Sequence, residues 1–123
     1  MTTLGVIVFA HGSRDPQWRA PVDAVARRVA ERAPGTLACT AYLELTEPDL
    51  PTAARELVRA GATRIRVLPL FFGMGKHARE DLPRLVDALR QEHMDLSVEL
   101  MPTAGEDPQL IDLLATQALK EGA

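Results

Sequence analysis

The sequence predicts an α/β domain in which a four-stranded parallel sheet carries helices on both faces. Apolar, strand-like runs alternate four times with segments whose apolar residues recur at helical spacing. This alternation is typical of parallel strands joined by crossover helices. The connections are short, and no linker, repeat or low-complexity stretch divides the chain. Its 123 residues, 46% hydrophobic and 25% charged, therefore predict one domain over residues 1–123.

The four strands are predicted at residues 4–10, 37–45, 64–71 and 96–101. The first and third are almost continuously apolar, as strands buried on both faces are. The second and fourth alternate apolar and polar residues, which is typical of edge strands. This contrast places strands 1 and 3 in the middle and predicts the order 2-1-3-4, the flavodoxin-like arrangement.

The helices are predicted at residues 21–33, 52–60 and 108–120, with a further one around the apolar residues 82–89. Three predicted helix starts combine a polar or acidic N-cap residue with a proline, because proline is accepted in the first turn of a helix. They are Asp15-Pro16, Asp107-Pro108, and Glu47-Pro48 with Thr46 as its cap. Because proline is not accepted deeper in a helix, Pro83 predicts that the third helix begins at about Asp81.

Two histidines follow the two central strands. His11 comes directly after the first apolar run and His77 comes after the third, and both lie near glycines. The carboxyl ends of strands 1 and 3 form the switch point where ligands bind in this arrangement. Two imidazoles there can bind a divalent metal or exchange protons near neutral pH. The alternative is that each histidine only caps a strand or bonds a nearby carbonyl. His93, in a polar stretch, is predicted to be solvated.

Glu44 lies at the predicted end of strand 2, the neighbour of strand 1. The topology therefore brings its carboxylate to the rim that carries His11 and His77. A carboxylate in that position can accept or pass protons near a metal. An equally open interpretation is that Glu44 projects past the sheet into water.

Basic residues flank the two histidines and predict positive charge at the mouth of the crevice, which suits an anionic ligand: they are Arg14, Lys76 and Arg79. Gly12 and Ser13, before the first helix start, could cradle an anion. Scattered surface charge is the alternative for the basic residues, and Gly12-Ser13 does not belong to a full P-loop or GxGxxG motif.

The loop before His77 contains two glycines, Gly73 and Gly75, which permit close approach of a flat ligand or movement of the loop. The alternative is an ordinary turn. Phe71, Phe72 and Met74 are each typical of a core when taken alone. Together, beside His77, they suit an aromatic ligand.

Bulk properties exclude several classes of function. A net charge of −3 offers no basic surface for nucleic acid. No apolar run approaches the roughly 18 residues that cross a membrane, and no secretory signal is evident, so a reducing cytoplasm is the expected location. Cys39 is the single cysteine, so no internal disulfide forms. We expect it to pack in a strand; a catalytic thiol is the minor alternative.

The ordered motifs AHGSR at 10–14, AYLEL at 41–45, LPLFFGMGKH at 68–77 and DLP at 81–83 resemble those of the short CbiX/SirB-type chelatases. The resemblance covers residues 4–115. Proteins of this family insert cobalt, nickel or ferrous iron into sirohydrochlorin. The match is loose at residues 101–108 and approximate at residues 15–18.

The resemblance implies a half-domain chelatase whose catalytic residues are His11, Glu44 and His77, with both histidines as metal ligands. It implies substrate contacts from Ser13, Arg14, Phe72, Gly73, Met74, Gly75, Lys76 and Arg79. The resemblance implies that the divalent metal is a substrate and that no organic cofactor is used. Within the family, Co²⁺ is favoured over Ni²⁺ or Fe²⁺. Because members of this length resemble half of longer two-domain chelatases, a homodimer is also implied.

Two other functions compete with this interpretation. A histidine phosphatase would need an arginine before its histidine, and Ala10 stands there instead. A carrier that holds metal or a tetrapyrrole without turnover could use the same crevice.

Overall fold

The computed structural model describes residues 2–122, which form one four-stranded parallel sheet flanked by helices. The strands are β1 (Leu4–Ala10), β2 (Leu37–Tyr42), β3 (Arg64–Pro69) and β4 (Ser97–Leu100). The α-helices are α1 (Ala20–Arg32), α2 (Leu50–Arg59), α3 (Lys76–Glu92) and α4 (Pro108–Leu119). Short 3₁₀ helices at Pro16–Arg19 and Ala104–Glu106 precede α1 and α4.

The strand order is β2-β1-β3-β4, which confirms the sequence prediction. β1 and β3 occupy the centre, and Ile7 of β1 pairs with Cys39 of β2 on one side and Val67 of β3 on the other. The apolar residues of β1 are buried on both faces. The central strands are covered on both faces of the sheet, so they are apolar at every position. This is why the contrast between continuous and alternating apolar runs identified them.

Two hydrophobic clusters cover the two faces of the sheet. On one face, Ile7 and Phe9 pack with α2 and α3, and the ring of Phe9 meets Phe71 edge-on at 6.1 Å between centroids. On the other face, Val8 and Ala10 pack with α1. The helices thus lie on both faces, as predicted, and hold the carboxyl ends of β1 and β3 at one rim.

The structure changes the bounds of β2 and α2. The strand ends at Tyr42, so the predicted extension to residue 45 is wrong, and Glu44 lies in the loop that follows. The predicted helix start at Glu47-Pro48 with a Thr46 cap is also wrong. Asp49 caps α2 by accepting a hydrogen bond from the Thr52 N–H, and Pro51 occupies the first turn.

The third helix begins at Lys76 rather than at about Asp81, so Pro83 lies inside it. The proline is tolerated because it lies on the exposed face of α3, where water can bind the carbonyl that the missing N–H leaves unpaired. The two aspartate caps are confirmed: Asp15 accepts from the Gln17 N–H and Asp107 from the Gln109 N–H.

β3 and β4 are shorter than predicted, ending at Pro69 and Leu100. His93 is not solvated, and that prediction is wrong. Its side chain is 17% exposed, lies 3.0 Å from a Glu92 carboxylate oxygen and lines a cleft with Val58. Cys39 packs in β2 against the core, as expected, and burial raises the pKa of its thiol to about 11.

Among residues 2–122, none of the helices combines the length and the apolar content that a membrane-spanning helix requires.

Candidate functional site

The loops after β1 and β2 are joined by main-chain hydrogen bonds beyond the last paired residues of the two strands. The N–H of Leu43 donates to the carbonyl of Ala10, and the N–H of Glu44 donates to the carbonyl of His11 at 3.0 Å. These bonds hold the two chain segments together for two residues beyond the paired strands. The side chains of His11 and Glu44 therefore emerge side by side at the rim of the sheet.

The imidazole Nε2 of His11 lies 2.8 Å from the Oε1 of Glu44, at hydrogen-bonding distance. Both side chains are accessible, with 54% of His11 and 56% of Glu44 exposed. The predicted approach of Glu44 to His11 is thus present, although the glutamate comes from a loop and not from a strand end. An exposed histidine–carboxylate pair can accept a proton or contribute a ligand to a cation.

Gly12 allows this close approach of the two loops. Its φ is +107°, in the region that favours glycine. A Cβ at this position would overlap the carbonyl oxygen of Glu44. The glycine after His11 is therefore required both by its backbone conformation and by the space it leaves for the neighbouring loop.

Thr46 fixes the same two loops through its side chain, and sequence reasoning missed this role. Its hydroxyl donates to the Ser13 carbonyl at 2.7 Å and accepts from the Ser13 N–H at 3.0 Å. A threonine in a loop gives no distinctive sequence signal, because its partner lies 33 residues away. The pair holds the loop of Ser13 against the loop of Glu44.

At the predicted anion site, Gly12-Ser13, the hydrogen-bonding groups of Ser13 already have partners within the chain. The Ser13 N–H is bound by Thr46, and the Ser13 hydroxyl accepts from the Asp15 N–H at 3.1 Å. The carboxylate of Asp15 occupies the start of the following 3₁₀ helix. Arg14 is exposed beside these residues and supplies the positive charge of this loop.

His77 lies in the first turn of α3, after the carboxyl end of β3, and is exposed together with Lys76 and Arg79. β3 is the neighbour of β1, so His77 and His11 follow adjacent strands. The structure does not bring His77 into contact with the His11–Glu44 pair. Within residues 2–122, no group of three or more His, Cys, Asp or Glu side chains is close enough to hold a metal ion.

The loop between β3 and α3 exposes one aromatic ring and buries another. Phe71 belongs to the core, whereas Phe72 is 69% exposed and Met74 packs against the edge of the core. Gly73 and Gly75 lie in open space, and a Cβ on either one would meet no neighbour. The exposed ring of Phe72 and the open glycines leave room for a flat ligand beside His77.

The loop after β4 supports the Phe71–Phe72 segment, which sequence reasoning also missed. The hydroxyl of buried Thr103 donates to the carbonyl of Phe71 at 2.6 Å, and the Gly105 N–H donates to the same oxygen at 3.0 Å. A Cβ on Gly105 would overlap the carbonyl of Phe72. Gly105 is the only sign of this contact in the sequence, and the sequence does not show that it lies against Phe71 and Phe72.

Three clefts open on the rim, and the smallest, of about 230 Å³, lies between Arg14 and Thr46. A cleft of about 500 Å³ beside Glu44 also receives the carboxyl groups of Glu47, Asp49 and Glu56. A cleft of about 490 Å³ beside α3 is lined mainly by apolar side chains, together with Arg79 and Glu106. The hydrogen bond from Thr52 lowers the pKa of the Asp49 carboxyl. The cleft beside Glu44 thus favours cations, and the cleft beside α3 favours apolar groups.

Comparisons with known proteins agree on one family. The chain matches the sequence model of CbiX over residues 5–121. A sirohydrochlorin cobaltochelatase of Sulfolobus acidocaldarius is 29% identical over 117 residues, which cover 95% of this chain and 91% of that protein.

Solved structures agree with the sequence comparison. A cobalamin (vitamin B12) biosynthesis CbiX protein from Marinobacter aquaeolei VT8 superposes with a TM-score of 0.77 at 30% identity, covering 97% of this chain and 99% of that one. The sirohydrochlorin chelatase SirB from Bacillus subtilis subspecies spizizenii, solved in complex with cobalt, has a TM-score of 0.79 at 22% identity. The match covers 96% of this chain and 50% of SirB, so SirB shares the fold in a chain about twice as long.

Proposed function

The chain belongs to the CbiX family, and we propose that it is a sirohydrochlorin chelatase, with Co²⁺ as the preferred metal substrate. The observation that carries the proposal is the exposed His11–Glu44 pair, 2.8 Å apart at the carboxyl end of β1. It combines a metal ligand with a proton acceptor at the rim where ligands bind in this fold. The cobaltochelatase name of the Sulfolobus acidocaldarius relative supports the substrate and the metal.

The reaction exchanges one divalent cation for two protons. Two pyrrole N–H protons leave the macrocycle, and the metal forms bonds to the nitrogens that lose them. The proposal assigns the metal to His11 and His77, which follow adjacent strands without touching each other, and it assigns proton uptake and transfer to water to the His11–Glu44 pair. Both side chains of the pair are more than half exposed, so solvent can remove each proton after transfer.

The rest of the rim suits the substrate. Sirohydrochlorin carries many carboxylates, and Arg14, Lys76 and Arg79 place exposed positive charge on the two loops that flank the histidines. The exposed ring of Phe72, with Met74 beside it, offers an apolar contact for the flat macrocycle. Gly73 and Gly75 leave space for it, and Ser13 lies on the opposite loop.

The acidic residues in the cleft beside Glu44 attract divalent cations to the site. The cleft beside Glu44 gathers three further carboxyl groups, from Glu47, Asp49 and Glu56. Negative charge of this kind raises the local concentration of divalent cations. It does not discriminate among Co²⁺, Ni²⁺ and Fe²⁺, because histidine and carboxylate ligands accept all three. The preference for cobalt therefore rests on the relatives.

The working form in this proposal is a homodimer in the cytoplasm. One chain presents its site on an open rim, and a tetrapyrrole is broad compared with that rim. SirB, which shares the fold, has about twice the length of this chain, which is the length of two copies. A second copy facing the first would enclose the macrocycle between two rims.

Anaerobic metal insertion into sirohydrochlorin tests the proposal. Co²⁺, Ni²⁺ and Fe²⁺ are supplied separately, and the absorbance change of the macrocycle is compared with a control without enzyme. Catalytic acceleration, fastest with Co²⁺, is expected. Stoichiometric binding of metal or tetrapyrrole without turnover would instead establish a carrier. Fastest insertion of Ni²⁺ or Fe²⁺ would contradict the preference for Co²⁺ and leave the chelatase activity established.

A further inference from the structure

Leu45, the residue after Glu44, has a backbone conformation that bulky residues rarely adopt. Its φ is +66°, in the left-handed region. The N–H of Thr46 donates to the carbonyl of Glu44 at 2.8 Å, so Leu45 is the central residue of a γ-turn. A γ-turn with a positive central φ is the rare and strained form. Glycine or asparagine would adopt this conformation with less strain, yet the chain carries a leucine.

The neighbouring loop holds this turn in place. The Glu44 N–H donates to the His11 carbonyl, and the Glu44 carbonyl occupies the space that a Cβ on Gly12 would need. The hydroxyl of Thr46 binds the main chain of the loop after β1. Because the residues on both sides of Leu45 are fixed, its strained conformation is imposed by its surroundings. Strain of this kind is concentrated at active sites and in segments that bind ligands.

The side chain of Leu45 gains little from contacts within its own chain. It is 54% exposed and belongs to neither hydrophobic cluster of the core. It lines the small cleft between Arg14 and Thr46, on the rim that carries the His11–Glu44 pair. Backbone strain and an exposed apolar side chain both raise the free energy of the isolated chain. A ligand that covers Leu45 would offset part of this cost.

Phe72 offers a matching apolar surface on the other side of His11. Its ring is 69% exposed. Phe72 follows β3 and Leu45 follows β2, and β1, which leads to His11, lies between these two strands. The main chain at Phe72 is also anchored, because its carbonyl lies against Gly105 and the preceding Phe71 carbonyl accepts two hydrogen bonds. The rim thus exposes two apolar side chains from fixed backbone, one on each side of His11.

We propose that Leu45 is a substrate-binding residue whose side chain packs on the apolar ring system of the tetrapyrrole. The inference rests on the proposed function and adds a residue to its binding site. Sirohydrochlorin combines an apolar ring system with carboxylates on its periphery. Arg14 attracts the carboxylates, and Leu45 in the same cleft contacts the rings. With Phe72 on the opposite side, this contact limits the sideways movement of the macrocycle over His11.

Binding of metal-free sirohydrochlorin tests the role of Leu45. Sirohydrochlorin is titrated anaerobically into the protein, and the quenching of its fluorescence gives Kd. Leu45→Asn removes the apolar side chain but keeps a residue that tolerates a positive φ. Because the ligand would cover a leucine that is 54% exposed, Kd should rise about five- to tenfold. Leu45→Met keeps an apolar side chain of similar volume and should stay within about twofold of the parent.

Met94→Asn is the matched control. Met94 is 83% exposed, but it lies in the loop between α3 and β4, at the amino end of the parallel sheet and opposite the rim. Its replacement should leave Kd for sirohydrochlorin unchanged. The urea midpoint of Leu45→Asn should be no lower than that of the parent, because asparagine relieves backbone strain and the leucine side chain supports neither core cluster.

Three results would overturn the proposal. An unchanged Kd in Leu45→Asn would show that the macrocycle does not cover this side chain, and a lowered turnover with that Kd would assign Leu45 to the positioning of Glu44. A raised Kd together with a lower molar mass by light scattering would assign Leu45 to a contact between copies. A clearly lower urea midpoint would assign it to the fold.

The proposed function can fail separately from this inference. A parent protein that binds sirohydrochlorin with the expected dependence on Leu45, but inserts no metal, would refute the chelatase activity and keep the inference. A parent protein that inserts metal, with a Kd that does not respond to Leu45→Asn, would refute the inference alone.

Discussion

The imidazole of His11 and the carboxylate of Glu44 lie 2.8 Å apart, although 33 residues separate them in the chain. Parallel pairing of β1 with β2 places Ala10 opposite Tyr42, so the residues that follow the two strands emerge at the same rim. The arrangement needs Gly12 to admit the Glu44 carbonyl and Thr46 to bind Ser13. The proton-accepting pair of the proposed reaction is therefore a product of sheet register and of two loop contacts.

Replacing Glu44 by glutamine should lower kcat for metal insertion by about 100-fold, since a positioned general base typically contributes 10²–10⁴-fold. Glutamine keeps the size and can hydrogen-bond His11, but it cannot accept a proton as a carboxylate does. Glu31→Gln, an exposed carboxyl near the end of α1 and away from the rim, is the control and should keep near-normal kcat. Equal rates for the two variants would remove Glu44 from the mechanism.

His77→Ala should abolish most insertion activity and leave the fold intact, because the side chain is exposed and makes no hydrogen bond or ion pair in the described part of the chain. Steady-state insertion and circular dichroism measure the two effects. His93→Ala, at the far end of the same helix, should leave the insertion rate unchanged. Full activity of His77→Ala with a native spectrum would refute its role as a ligand.

Much of the fold follows from local patterns in the sequence. The solid apolar runs of β1 and β3 identified the central strands, and that order alone brought His11 and Glu44 to one rim. The start of α3 was misplaced because proline tolerance depends on which face meets water, and Pro83 lies on the exposed face. The Thr46–Ser13 contact was missed because it depends on loop geometry and not on spacing.

Gly12→Ala should lower the free energy of unfolding by more than about 3 kcal/mol, at the upper end of single-residue effects. The added Cβ meets the Glu44 carbonyl, and φ is +107°. Gly35→Ala is the matched control, since its φ is +95° and its Cβ meets open space. It should cost only the conformational strain of about 1–2 kcal/mol. Urea denaturation compares them, and equal losses would contradict the clash.

Thr46→Val should cost about 1–3 kcal/mol of stability, because it removes two hydrogen bonds and leaves the Ser13 groups unpaired. Insertion activity should fall further than stability explains, since the loop that carries Glu44 loses its tie to the loop that carries His11. Thr36→Val is the control: its hydroxyl makes no hydrogen bond within residues 2–122, and the change should stay within about 0.5 kcal/mol. Normal kcat in folded Thr46→Val would assign the contact to stability alone.

The thiol of Cys39 should be nearly inert in the folded protein at pH 8. Burial is the main cause that raises its pKa to about 11, and Glu56 adds to it. The thiolate is the reactive form, so raising the pKa from 9.0 to about 11 lowers its fraction at pH 8 by roughly 100-fold. Alkylation by iodoacetamide should accelerate about tenfold per pH unit up to pH 10, and the urea-unfolded chain should react much faster at pH 8. A rate that levels off near pH 8 in the folded state would contradict the buried thiol and would revive Cys39 as a nucleophile.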